Sequence, residues 1–436
     1  MKNIIAYLIT GLSLLSCKEK TDPTLFYLPA EWEEQEAVWL GWDGNWEEDD
    51  TLHIIISNVI KALQEEVHVV LWVSNDSLQE AAVKFLADNH VPTERVEIIQ
   101  IPGKTLFWSR DVAPVFVINQ TGDRMAIDFN HTGYFRYKKW YDKVGLDSAF
   151  KAKLIDNNIL MLKGDSLMSV AKQETIKKSW MYIEGGAIEV NGKGTLLTTE
   201  SFVFNSISEA MADTLTKKHF EIEFKRLLGV KNVIWLHEGL AEDDARTTFY
   251  DHKFMVTGTG GHVDEFARFA NANTILLASI DEPDEIINPV AQETKKRMGK
   301  NYEILKNARD QDGKSFNIIK VPMPDHIIKD FILDERKFPS PGVKDFYENL
   351  GYQMGDTLNH IMASSYLNFL ISNNLVLVPS YVQDGGSKEK EESVKQIFNQ
   401  VFPDRKLVFI NSTYVNSGGG GIHCITRQVP ALVNKN

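Results

Sequence analysis

The chain has 436 residues, a formal net charge of −13, 43% hydrophobic residues and two cysteines. That length supports one large hydrophobic core or two ordinary ones. The acidic balance speaks against nucleic acid and anionic membrane surfaces as partners and mildly favours small cations.

Residues 1–16 carry one charge, Lys2, an apolar run from Ile4 to Leu15 and a small residue before Cys17. This is the layout of a signal peptide, too short to span a bilayer as a stable helix. A cysteine directly after Leu14-Leu15-Ser16 resembles the lipobox of bacterial lipoproteins. The expectation is an exported lipoprotein of the cell envelope, held to the membrane only through a lipid on Cys17, with residues 17–28 as a polar tether. A cleaved secretory signal with an incidental cysteine is the alternative. No other segment approaches 18 uninterrupted apolar residues. With Cys17 acylated, Cys424 is the one free thiol and no intramolecular disulfide forms.

Residues 29–436 read as a single domain, because no Pro/Ser-rich linker divides them. A strand at 37–42 opens it. Helical periodicity at 51–65 leads into a strand at 67–73, and 77–89 into 96–101. A strand at 115–118 and another at 187–190 follow. Then 207–228 leads into 233–236, 289–308 into 316–321, 360–369 into 375–378, and 388–401 into 407–410. Helix-then-strand units recurring along one chain point to a repeated α/β architecture. Stretches 132–178, 243–260 and 338–351 read as excursions that could form rims or lids.

Polar groups recur beyond strand ends at distant places, so the ends could converge on one cleft. Cys424 follows the glycine run Gly418–Gly421, which exposes a thiol to close approach; an inert buried cysteine is the alternative. His262 and Asp264, two apart, share a face if their segment is extended, pairing an imidazole with a carboxylate. Trp108-Ser109-Arg110-Asp111 offers an aromatic wall and a carboxylate for a bound cation, or a structural Arg–Asp pair. Glu184 stands beside Gly185 and Gly186, as suits a carboxylate approached closely, or a turn. Asn368 is an amide in an apolar stretch, catalytic or simply holding backbone. A metal set of His262, Asp264 and His423 lacks a supporting CxxC or HExxH spacing, and no nucleotide-binding fingerprint occurs in context; no metal and no organic cofactor is expected. One thiol and one imidazole among carboxylates suit a cationic electrophile such as a guanidinium better than a peptide bond.

Taken together, Pro29-Ala30-Glu31-Trp32, Trp108–Asp111, Glu184-Gly185-Gly186 with Gly192–Thr195, Gly261-His262-Val263-Asp264, Ser365–Phe369 and Gly420-Gly421-Ile422-His423-Cys424-Ile425-Thr426 resemble the agmatine deiminase family, which includes the bacterial, Porphyromonas-type peptidyl-arginine deiminases. They occur in the family's order and cover nearly the whole chain after residue 28. The resemblance implies a pentein fold, a five-bladed α/β propeller of ββαβ units with a central active site. It implies Cys424 as the nucleophile on the guanidinium carbon, and His262 as the acid and then the base. It implies Asp111 and Asp264 as holders of the guanidinium nitrogens, with Glu184 in the same acidic ring and Trp108 lining it. Asn368 matches the position with which peptidyl-arginine deiminases complete the site. Agmatine, yielding N-carbamoylputrescine and ammonia, is the expected substrate, and an arginine peptide the alternative. Arg136 and Lys138 lie in the neighbourhood in which the peptidyl-arginine enzymes place arginines for a substrate carboxylate and could serve the same end, and export would bring the protein to peptides more readily than to a cytosolic amine. A cysteine peptidase or amidase using Cys424, His262 and Asn368, and a non-catalytic guanidinium-binding lipoprotein, are the rival readings.

Overall fold

In the computed structural model the described residues are 22–42, 50–101, 107–131, 159–207, 214–245, 248–281, 288–334 and 341–432. Cys17 and the leader lie outside them, as do Arg136 and Lys138. No helix among the described residues is long and apolar enough to cross a membrane.

Five of the six sheets among the described residues repeat one plan. An opening strand pairs antiparallel with a second; a helix follows, and a third strand returns parallel to the second. In the second sheet these strands are Val115–Ile118, Arg124–Asp128 and Ile176–Lys178; in the third, Glu189–Val190, Thr195–Thr199 and Asn232–Leu236. The fourth has Ala267–Asn271, Thr274–Ser279 and Asn317–Pro322, and the fifth Leu370–Ser372, Leu375–Ser380 and Lys406–Asn411. The first sheet takes its opening strand from the far end of the chain. Thr426–Pro430 pairs antiparallel with Gln35–Gly41, and His68–Val73 and Val96–Gln100 add parallel strands beyond.

The sequence explains the layering. Second strands such as Val-Leu-Val in Leu375–Ser380 are continuously apolar and buried, as strands covered on both faces must be. The helices between them, Thr51–Leu63, Pro289–Asn307 and Lys388–Val401, bury one stripe each. Pro289–Asn307 starts on Asn288, whose side chain accepts from the amides of Val290 and Ala291 at 3.0 Å, with proline in its first turn. Apolar clusters join neighbouring sheets. Trp39, Trp72 and Phe116 link the first and second, Val117 and Leu196 the second and third, and Leu197 and Phe269 the third and fourth. Phe269 and Val376 link the fourth and fifth, and Leu377 and Leu71 the fifth and first. The opening strands are almost wholly buried, whereas third strands such as Asn317–Pro322 are partly exposed.

Several expectations change. Residues 360–369 are not a helix: Thr357–Ile361 is a strand, paired with Phe254–Val256 and Ile328–Ile332, and 362–369 is buried irregular chain. A short, mostly apolar stretch with scattered polar residues cannot be told from buried helix by periodicity alone. The excursion at 132–178 ends in regular structure, since helix Ile159–Ala171 and strand Ile176–Lys178 complete the second sheet. The 243–260 excursion contributes the hairpin Thr248–Tyr250 and Phe254–Val256 to the sixth sheet, and 338–351 contains helix Pro341–Asn349. In the helix expected at 207–228, Lys217–Leu228 is helical, with residues 208–213 outside the described set. The last residues expected in the tether already join the body: Tyr27 exchanges both backbone hydrogen bonds with Ile118, at 2.9 and 3.0 Å.

Candidate active site

The site residues occupy one recurring place in the repeat, just ahead of an opening strand. Asp111 precedes Val115–Ile118, Glu184 precedes Glu189–Val190, His262 and Asp264 precede Ala267–Asn271, Asn368 precedes Leu370–Ser372, and Cys424 precedes Thr426–Pro430. Five sheets thus supply one segment each. The sequence had located such groups by the strands before them, as lying beyond strand ends.

Cys424 is buried, and its Sγ accepts from Asn368 Nδ2 at 3.2 Å. The same sulfur lies 3.7 Å from Asp264 Oδ2 and 3.6 Å from Glu265 Oε1. Asn368 Nδ2 also donates to Glu265 at 2.7 Å, while its Oδ1 accepts from the amides of His423 and Cys424 at 2.9 and 3.3 Å. The amide side chain therefore fixes both the thiol and the turn that carries it. Trp108 lies across Gly420: a Cβ there would stand 2.6 Å from Trp108 Cζ3 and 3.0 Å from Cys424 Sγ.

His262 is fully buried, with Nε2 2.9 Å from Glu184 Oε2 and Nδ1 3.9 Å from Asp264 Oδ1. The Glu184 contact is an ion pair off the line of the N–H. Ligand atoms of Asp111, Glu184 and His262 lie within 4.8 Å of one another. The segment is not extended as expected, because Val263–Glu265 forms a 3₁₀ turn. A shared strand face therefore does not bring His262 and Asp264 together. Asp243 shapes this turn, accepting from the amides of Thr259 at 2.7 Å and Gly261 at 3.3 Å and from the Thr259 hydroxyl; Thr259 Oγ1 in turn accepts from the His262 amide at 2.9 Å. Opposite it, a Cβ on Gly186 would come within 2.6 Å of His262 Nδ1 and 2.8 Å of Asp264 Oδ2, so only glycine fits.

The charges oppose burial. Burial disfavours the charged imidazole, yet Asp111, Glu184 and Asp264 raise His262 to about 9. Burial, then Asp264, Glu265 and Asp111, push the Cys424 thiol well above its usual range. Burial also raises Glu265, reinforced by Asp243 and Asp264. Asp264 goes the other way: against burial, its contact with His423 holds it below the usual carboxylate range. The sets Asp111–Glu184–His262 and Asp264–Glu265–Cys424 are each compact enough for a cation.

Sequence reasoning passed over Glu265, Asp243, Glu31, Arg268 and Arg427, and took His423 only as a metal candidate. All are buried or nearly so. Glu31, His423 and Glu265 sit inside or beside quoted motifs, which was the available signal.

A buried thiol and imidazole among carboxylates, assembled from like segments of a repeated α/β fold, define an enzyme site for a compact cation. The Porphyromonas-type peptidyl-arginine deiminase family matches residues 27–430. A putative agmatine deiminase of Marinomonas sp. is 27% identical over 418 residues, covering 94% of this chain and 96% of the relative. The agmatine deiminase of Medicago truncatula is 28% identical over 426 residues, covering 93% and 97%. Among solved structures, the agmatine deiminase of Enterococcus faecalis superposes with a TM-score of 0.66 at 25% identity, covering 93% of this chain and 96% of that one. A putative arginine deiminase from Porphyromonas gingivalis, at 23% identity and a TM-score of 0.65 over 94% and 99%, shares the fold. The chain belongs to the Porphyromonas-type peptidyl-arginine deiminase family, hydrolases acting on the carbon–nitrogen bonds of amidines.

Proposed function

We propose that this protein hydrolyses the guanidinium group of agmatine to N-carbamoylputrescine and ammonia through a covalent amidino-thioether on Cys424. The observation that carries the reading is the anionic surround of the thiol: Asp264 and Glu265 within 3.7 Å of Sγ, and Asp111 and Glu184 clustered on His262. A thiol kept neutral by burial and by these carboxylates gains its counter-charge when a guanidinium enters between them. Asp111 and Asp264 orient the planar cation by charge-assisted hydrogen bonds, with Glu184 beside them.

As the sulfur–carbon bond forms, the thiol proton passes to solvent. His262, protonated below about pH 9, gives its proton to the departing nitrogen, and ammonia leaves as the carbon–nitrogen bond breaks. Water then adds to the amidino-thioether carbon and loses a proton to His262. Collapse breaks the carbon–sulfur bond, releasing the ureido product and its proton, and restores the thiol. The ammonia takes up the proton first released, so guanidinium and water become ureido compound and ammonium. Asn368 holds the sulfur in line throughout. The family description and the curated relatives divide between peptidyl-arginine and agmatine, so an arginine peptide is the second reading.

Five like sheets, buried opening strands and apolar clusters linking each sheet to the next support a five-bladed propeller with the site at its axis. An experimental structure whose opening strands shared no axis would overturn it. For the chemistry, ammonia release is measured from agmatine and, in parallel, from a C-terminal-arginine peptide. Agmatine turnover is expected, and Cys424→Ala should abolish it while binding agmatine within a few-fold of wild type. Turnover of the peptide alone replaces the substrate; an active Cys424→Ala protein removes the mechanism.

A further inference from the structure

Beneath the thiol and carboxylates, the Pro29-Ala30-Glu31-Trp32 motif reaches the site indirectly. Glu31 Oε2 lies 2.9 Å from His423 Nε2, a residue 392 positions away, and 2.7 Å from Arg268 Nη2. Glu31 Oε1 accepts from the amide of Ile371 at 2.7 Å. The other ring nitrogen of His423, Nδ1, lies 2.6 Å from Asp264 Oδ2. One buried imidazole therefore spans two carboxylates, one belonging to the guanidinium clamp and one to the motif.

Each of those contacts needs a proton between nitrogen and oxygen. A neutral imidazole carries a single N–H, so with one proton the second contact would set lone pair against lone pair. Asp264, His423 and Glu31 together hold two protons. With Asp264 ionised, as a cation clamp requires, both are on the ring and Glu31 balances the resulting charge from the far side. Burial first, then Arg110 and Arg268, lower His423 against the pull of Glu31 and Asp264. The two-proton ring therefore rests on its two short carboxylate contacts, at 2.6 and 2.9 Å, and needs Glu31 as its balancing charge. Glu31 is itself held against a rigid wall. Arg268 lies 3.2 Å from Glu189, donates to the carbonyls of Leu367 and Phe369 at 3.0 and 2.7 Å, and stacks over the Phe369 ring at 4.4 Å.

We propose that Glu31 is a positioning residue: acting through His423, it fixes the orientation of the Asp264 carboxylate and so sets the guanidinium clamp. The proposal rests on the deiminase reading, in which Asp264 holds the substrate. Steady-state kinetics of Glu31→Gln, His423→Asn and the double variant test it on the guanidine that the wild type turns over. Glu31→Gln should raise KM by roughly 10- to 100-fold, the scale of a misplaced binding group, with a smaller change in kcat. In the His423→Asn background the same substitution should add little further to KM, because the route from Glu31 to Asp264 runs through His423. Its lost contacts with Arg268 and Ile371 should show in Tm. Independent, multiplying losses overturn the proposal, as does an unaltered KM in either single variant; a merely structural Glu31 would lower Tm without producing this coupling. A second measurement needs no substrate. Nitrogen NMR of the full chain with labelled histidine should show two bonded protons on His423 in the wild type. A single N–H there overturns the proposal, and this spectrum stands if Glu31→Gln does not fold. Two protons with no turnover of any guanidine would sink the deiminase reading alone.

Discussion

His262 is set between burial, which disfavours its charge, and the carboxylates of Asp111, Glu184 and Asp264, which raise it to about 9. Its unfolded value is 6.5. The folded state therefore gains its full benefit below about pH 6.5 and loses it as pH rises through about 9, since unfolding there requires release of a proton. Denaturation midpoints measured between pH 6 and 9.5 should fall across that window in the wild type and be flatter in His262→Gln; equal slopes would refute the assignment. On the proposed mechanism the same proton serves the leaving nitrogen, so kcat/KM should decline above about pH 9. At this scale the sequence was legible where chemistry and geometry coincide locally. The Glu184-Gly185-Gly186 triplet read as a close approach or a turn, and both are present: Gly185–Ala187 is a 3₁₀ turn, and Gly186 is pressed against His262 and Asp264. Glu31, Asp243 and Glu265 were not legible in the same way. Their importance comes from burial against partners more than a dozen positions away, or, for Glu265, from an amide brought in from residue 368.

Asp128 closes the second strand of the second sheet, and Asp165 stands in the helix that follows, Ile159–Ala171. The two carboxyls share a hydrogen bond. Burial first, and then Asp128, raise Asp165 to about 8. Asp128 is held low against burial by Asp165, by the Ser166 hydroxyl at 2.7 Å and by the Asn130 amide at 2.8 Å. A raised acid works in the opposite sense to an ionised, paired one. The folded chain keeps a proton that the unfolded chain has lost, so stability declines from about pH 4 to about pH 8. Asp165→Asn can still donate to Asp128 but does not titrate. It should flatten that decline and raise Tm at pH 8 relative to wild type; thermal melts at pH 5, 7 and 8 decide, and an unchanged slope would exclude the shared proton. The sequence hid this helix inside an apparent excursion. Lys163 breaks its φ/ψ, and Gly164 is required where a Cβ would lie 2.6 Å from the Val112 carbonyl, so the periodicity that exposed other helices is interrupted. Elements with one apolar stripe, such as Lys388–Val401, were legible nearly to their ends. The wholly buried chain at 362–369 was not, because burial on all sides erases the period.

The repeat itself could be read from the order of helices and strands, but the partner of Gln35–Gly41 could not. Nothing local in that strand says that it pairs with Thr426–Pro430. Pairings at such separation form late, because loop closure must precede the contacts that reward it. In refolding from denaturant, ammonia-releasing activity should therefore return with the last phase seen by tryptophan fluorescence. Activity that preceded that phase would show the site assembling without the closing strand. Cys424 stands two residues before that strand, on the turn that it anchors. On the proposed mechanism this sulfur is a nucleophile, which on an incomplete chain would be a hazard to itself and its neighbours. Here the sulfur meets Asn368, Asp264 and Glu265 only once the two ends have met, so the architecture would work as a safety catch: a truncated or half-folded copy would be inert rather than indiscriminately reactive.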